Sequence, residues 1–195
     1  MCEFAEVREG MHQAISQLYA DHGRLLEIDA NERSITHWLA NAIQSQFEDW
    51  TVDCEYNRKG RLPKNLEYSD ERVSIHDTDG RSVYPDIIAH VREQPDNLLI
   101  AEIKKATSAE GPRKDLEKLV DFGLESDYQY RFGVFIVLDT QQALLQWFAE
   151  GRPIQVEWLA VDDELVAVVD HPPNTGIKAI HADIDRELRR MGFDV

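Results

Sequence analysis

Cysteine is scarce: Cys2 and Cys54 are the only two in 195 residues. They are too few and too far apart for a disulfide framework or a cysteine-rich zinc site. Long apolar runs are missing as well. Hydrophobic residues make up 43% of the chain, but none of their runs reaches a membrane-spanning length. The stretch "MCEFAEVREGMHQAI" has neither a basic start nor an unbroken apolar segment, so it does not read as a secretory signal. Without a GxxxxGK[ST] loop or a GxSxG elbow, ATP use and serine hydrolysis have no visible seat. The seven histidines show no HxxxH-type zinc spacing, and His37 and His90 read as packing or surface residues. No repeat, low-complexity tract or Pro/Gly/Ser-rich linker divides the chain. The expectation is a cytoplasmic, soluble protein with one domain spanning 1–195, short enough for one hydrophobic core.

Positive charge is also in short supply, with 21 Lys and Arg against 37 Asp and Glu and a net charge of -16. Phosphate binding draws on Lys and Arg, so the average disfavours a nucleic-acid partner. The distribution is uneven, however. Residues 56–64, "YNRKGRLPK", hold four basic residues and no acidic one. Residues 104–118, "KKATSAEGPRKDLEK", hold five basic and three acidic. Arg58, Lys59, Arg61 and Lys64 are therefore candidates for a nucleic-acid loop, although a plain surface loop fits them equally. Lys114 and Lys118, one helical turn apart, are candidates for a phosphate contact or members of a solvated helix face.

Periodicity supplies the elements. Phe4, Val7, Met11, Ile15 and Leu18 predict a helix over 4–22. Ile35, Trp38, Leu39, Ala42, Ile43 and Phe47 share one face of a second helix. "WTVDCEY" alternates as a strand, and "DTDG" predicts a hairpin between "RVSIH" and "RSVYPDIIAHV". "NLLIAEIKKA" is a further strand. A helix around Leu116, Leu119, Val120 and Leu124 comes next, then the strand "RFGVFIVLD". "TQQALLQWFAEG" reads as a helix, "IQVEWLAV" and "LVAVV" as strands, and Ile177, Ile180, Ile184 and Leu188 as a last helix. This order implies an α/β fold, a mixed sheet with helices on both faces.

In "NLLIAEIKKA" an apolar strand is interrupted by Glu102 and Lys104, which project to the same face. An ionised side chain buried without a partner costs several kcal/mol. Asp86, in "YPDIIAH", stands at the start of the preceding strand. If the two strands pair, Asp86 and Glu102 lie side by side, and a cation between them keeps both ionised. Mg²⁺, with its hard oxygen ligands, suits that role. Glu32 faces inward with Ile35 and Leu39 and is a fourth candidate. Equally, "DANE" fits a capping box with Asp29 as N-cap and Glu32 folding back onto it. Lys105 points to the face opposite Lys104 and reads as solvated or packed by its stem.

"PD" at 85–86 followed by "EIK" at 102–104, on a hairpin and strand, resembles the PD-(D/E)xK nuclease superfamily. The strand–hairpin–strand–helix–strand order of residues 50–139, with the helix before it, is similar to the superfamily core. That sets the expected nuclease-like core at about 31–150, with helix 4–22 and the C-terminal strands and helix as additions. "NERSITHWLANAIQSQF", "DCEYNR", "PDIIAH" and "LLIAEIKKA" together resemble small bacterial members of it. The resemblance implies a restriction-endonuclease-like fold and a Mg²⁺- or Mn²⁺-dependent nuclease acting on nucleic acid, with DNA the expected substrate. By the same resemblance, Asp86, Glu102 and the backbone carbonyl of Ile103 would ligate the metal. Lys104 would serve the attacking water and Glu32 would assist the metal. Arg58, Lys59, Arg61 and Lys114 are the candidate nucleic-acid contacts, and a homodimer or a protein partner is compatible with the superfamily. The alternative is an inactive nuclease-like fold serving as a protein-interaction or nucleic-acid-mimic module, which the acidic composition favours.

Overall fold

The computed structural model describes residues 3–55, 58–59, 62–63, 84–92, 94, 97–124, 128, 130–162, 165–172 and 175–195. "RVSIH", the "DTDG" turn, Arg61 and Lys64 lie outside the described residues. Three helices come first: α1 (Phe4–His22), α2 (Arg24–Glu27) and α3 (Glu32–Gln46). The strands β1 (Thr51–Cys54), β2 (Arg58–Lys59), β3 (Leu62–Pro63), β4 (Ile87–His90) and β5 (Asn97–Lys105) follow. Helix α4 (Arg113–Leu124) leads to β6 (Phe132–Leu138), β7 (Gln142–Ala149), β8 (Arg152–Asp162) and β9 (Leu165–Val169). Helix α5 (Thr175–Arg190) ends the order.

Seven strands form one sheet in the order β1-β4-β5-β6-β7-β8-β9, and β2 pairs with β3 separately. Among the described strands only β5 and β6 run parallel, because α4 carries the chain back across the sheet between them. Every other neighbouring pair is antiparallel. One face of the sheet, with Ala89, Leu99, Ala101, Ile103, Ile136 and Trp147, packs against α1 and α3 through Met11, Ile15, Leu39 and Ile43. The other, with Ile88, Ile100, Phe135, Val137 and Phe148, packs against α4 and α5 through Leu116, Phe122, Ile184 and Leu188. A fully buried side chain of this size contributes roughly 1.5–3 kcal/mol. The mixed sheet with helices on both faces is thus as the sequence implies. Among the described residues no helix is long and apolar enough to cross a membrane.

Three expectations need correction. "TQQALLQWFAEG" is not a helix: it forms β7, buried without a break from Gln142 to Phe148. Both faces are covered, so the segment has no solvent side and shows no alternation. Its C-terminal end turns tightly into β8 through Glu150 (φ 49°) and Gly151 (φ 70°), the left-handed pair that a two-residue hairpin demands. Trp38 leaves the apolar face of α3, 40% exposed, and its ring stacks on His22 with centroids 3.9 Å apart. The basic loop after β1 contains the short β2–β3 ladder.

Candidate functional site

The candidate site forms where β4 ends before β5 does. Ile87 pairs with Ala101, so Asp86, one residue earlier, comes level with Glu102. The last residues of β5 have no β4 partner. Their free N–H groups are taken by acidic side chains instead. Ile103 N–H donates to Asp86 Oδ2 at 2.8 Å, and Lys105 N–H donates to Glu32 Oε2 at 3.0 Å. A strand residue's carbonyl leaves on the same edge as its N–H, so the Ile103 carbonyl faces this opening too.

Helix α3 begins at Glu32, with Asn31 as its N-cap; the Asn31 side chain accepts from Arg33 N–H. The capping box of Asp29 with Glu32 is therefore not formed. Asp29 instead takes a positive φ of 50° and accepts from Lys105 Nζ at 2.7 Å and from the Thr107 hydroxyl. Lys105 points away from Lys104 and is half-buried, and its ammonium also donates to the Ala30 carbonyl at 2.8 Å. That ion pair fixes the α2–α3 turn on β5 and so places Glu32.

On the opposite face of β5, Glu102 has no exposed surface. Lys118 of α4 donates to Glu102 Oε2 at 2.5 Å and lies 3.3 Å from Asp115 Oδ1. Glu102 Oε1 has no hydrogen-bond partner among the described residues. Lys104 does reach the same face, but its ammonium lies 3.0 Å from Asp115 Oδ2 and 3.7 Å from Glu110. Asp115 thus bridges the two lysines. Asp115 did not figure among the candidate site residues, and Lys118 did so only as a phosphate contact or part of a solvated helix face, not as the partner of Glu102. The signal was present: they are three apart, flanking the buried stripe of Leu116, Leu119 and Val120.

The electrostatics show an excess of negative charge. Burial pushes the Glu102 carboxyl well above its ordinary value, against the pull of Lys118, while Asp86 and Asp115 push the same way as burial. Burial likewise raises Asp86, opposed by the Ile103 N–H and Lys118 and reinforced by Asp115 and Glu32. Desolvation would lower Lys118, yet Glu102, Asp115 and Asp86 together hold it above its ordinary value, so it stays charged. Lys104 is also raised: Asp115, Glu32 and Glu110 outweigh its desolvation.

Asp86 opens onto a cleft of about 440 Å³ lined by Glu32, Arg33, Thr36, His37, Cys54 and Glu55. Arg58 follows Glu55 by three residues, so the chain keeps their Cα atoms within about 11 Å. Arg58 and Lys59 belong to β2; Arg61 lies outside the described residues, and Lys114 is exposed on α4. His37 is exposed and lies 3.2 Å from the Asn41 amide. His90 is buried, with Nε2 2.9 Å from Asp53 Oδ2.

Among the described residues no three His, Cys, Asp or Glu side chains are grouped as a metal's ligand set. Asp86 and Glu102, level across the β4–β5 register, and the Ile103 carbonyl supply oxygen donors at this strand end instead. They fit a hard cation by donor chemistry, and the orphaned, fully buried Glu102 Oε1 is the atom such a cation would satisfy. Fold and site together define a mixed α/β protein with a buried, lysine-bridged acidic cluster at a strand end. No family model matches the chain, and no curated protein does.

Proposed function

We propose that this protein is a divalent-metal-dependent phosphodiesterase of the PD-(D/E)xK type, acting on nucleic acid, with DNA the first substrate to test. The observation that carries the proposal is Glu102, fully buried on a strand with one carboxylate oxygen unpartnered and Asp86 level with it. A buried carboxylate ordinarily satisfies both oxygens. The α3–β1–β4–β5–α4–β6 order supports the restriction-endonuclease-like reading of the fold.

In this reading Asp86, Glu102 and the Ile103 carbonyl hold Mg²⁺ or Mn²⁺, which when bound supplies Lewis acidity to water and phosphate. Asp86 is kept in place by the Ile103 N–H. Glu32, held by the Lys105 N–H, lines the cleft beside Asp86 and would add negative charge there. Lys104 offsets charge that builds on the phosphoryl oxygens, and Asp115 orients its ammonium. The 440 Å³ cleft beside Asp86 is the approach this reading assigns to the phosphate backbone.

One observation favours the rival interaction module: Glu102 already has a cationic partner in Lys118. The two readings separate in one experiment. Purified protein is incubated with single- and double-stranded DNA and RNA in Mg²⁺ or Mn²⁺, beside Lys104→Ala and Asp86→Ala. Cleavage by the wild type alone supports the enzyme. Cleavage that survives in both variants contradicts the assignment, and no cleavage of any substrate favours the module.

A further inference from the structure

Lys118 has no role in the metal-site reading, yet it sits at the centre of the cluster. Its side chain is 19% exposed, and its ammonium contacts the one bonded oxygen of Glu102. We propose that Lys118 occupies the cation position of the Asp86–Glu102 pair and yields it to a divalent ion, so that metal entry exchanges one cation for another. This rests on the phosphodiesterase reading and adds a residue that sets its metal requirement.

The cluster has the parts such an exchange needs. Glu102 and Asp115 both contact the single ammonium of Lys118, and Asp86 is level with Glu102 across the β4–β5 register. One ammonium bonds only Oε2 of Glu102, leaving Oε1 to a cation with more coordination positions. Asp115 is the landing place: Oδ2 holds Lys104 at 3.0 Å, while Oδ1 already lies 3.3 Å from Lys118. A flexible four-carbon stem lets the ammonium turn from Glu102 to Asp115 without crossing an apolar surface uncompensated. Turned to Asp115, the ammonium stays within the cluster, on the carboxylate that also holds Lys104. Without metal, the same contact spares Glu102 an uncompensated burial and keeps the strand end folded.

The test is calorimetric titration of Mn²⁺ into the wild type, Lys118→Met, Lys118→Arg and Lys114→Met, with melting curves in chelator and in Mn²⁺. Methionine keeps the stem and removes the charge. Lys118→Met should bind Mn²⁺ on the order of tenfold more tightly than the wild type. It should also melt lower in chelator and gain more from the ion. Lys118→Arg keeps a cation in place and should bind no more tightly than the wild type. Lys114→Met removes an exposed charge from the same helix and should leave the affinity nearly unchanged. Equal affinity in wild type and Lys118→Met, or tightening by Lys118→Arg or Lys114→Met, overturns the exchange while the metal site stands. Absence of Mn²⁺ binding in every protein overturns the exchange and the phosphodiesterase reading together.

Discussion

Two buried glutamates in this sheet are held in opposite ways. Glu157 on β8 is saturated: Arg8 and His12 of α1, Trp147 of β7 and the Gln155 side chain all reach its carboxylate. Burial alone would raise its pKa, but the bonds from His12, Arg8 and Trp147 win and hold it below the ordinary 4.5. Glu102 has one donor and one orphaned oxygen, and burial holds its pKa up. The first carboxylate is a tie between α1 and the sheet; the second is short of a partner. The sign for Glu157 follows from linkage: its stabilisation is full above pH 4.5 and is lost as pH falls through the lower folded value. Glu157→Gln should cost about 1.5–3 kcal/mol at neutral pH, the worth of a hydrogen bond to a charged group. Its urea-denaturation stability should also fall less than that of the wild type as the buffer is acidified. An unchanged acid limb in the variant would mean that other carboxylates control the loss.

Helix α4 supplies Asp115 and Lys118, so its seating on the sheet fixes the site. Its C-terminal end rests directly on the β7–β8 turn: a Cβ at Gly123 would stand 2.3 Å from Gly151 N. Since the obstacle is backbone, Gly123→Ala forces the helix away from the hairpin. The expected loss is at least the 1–3 kcal/mol or so of an overpacked contact. Thermal melting gives the check; wild-type stability in this variant would show that α4 stands further from the turn. The elements flanking the site were legible because each is buried on one side or bounded by turn residues. Phe4 to Leu18 and Ile35 to Ile43 mark helical faces, and the charges of β5 interrupt an otherwise apolar strand. The pairing that brings Asp86 beside Glu102 was legible too, as a short connection between two strands. β7 was not, because an apolar run buried on both faces has no period to read. Nor was the partner of Glu102: Lys118 lies sixteen residues away on another element. Only the crossover that lays α4 over β5 brings them together. Glu32 was left undecided between cap and site, and the placement of Asn31 as N-cap frees it to reach β5.

At the scale of the molecule, a chain with net charge -16 attracts cations everywhere on its surface. Weak, diffuse Mn²⁺ uptake is therefore expected of any such protein, and a site is distinguished by stoichiometry and by its dependence on particular side chains. The account also ties occupancy to stability, since a ligand at 100 times its Kd adds about 2.7 kcal/mol to the folded state. In the proposed function Asp86 and Glu102 jointly hold one divalent ion. The most direct measurement is the electron paramagnetic resonance signal of free Mn²⁺ during titration into wild type, Asp86→Asn and Glu102→Gln at moderate salt. The wild type should remove about one ion per chain from the free signal, and each variant should leave that ion in solution. Equal uptake by all three proteins, or none by the wild type, would contradict the joint site.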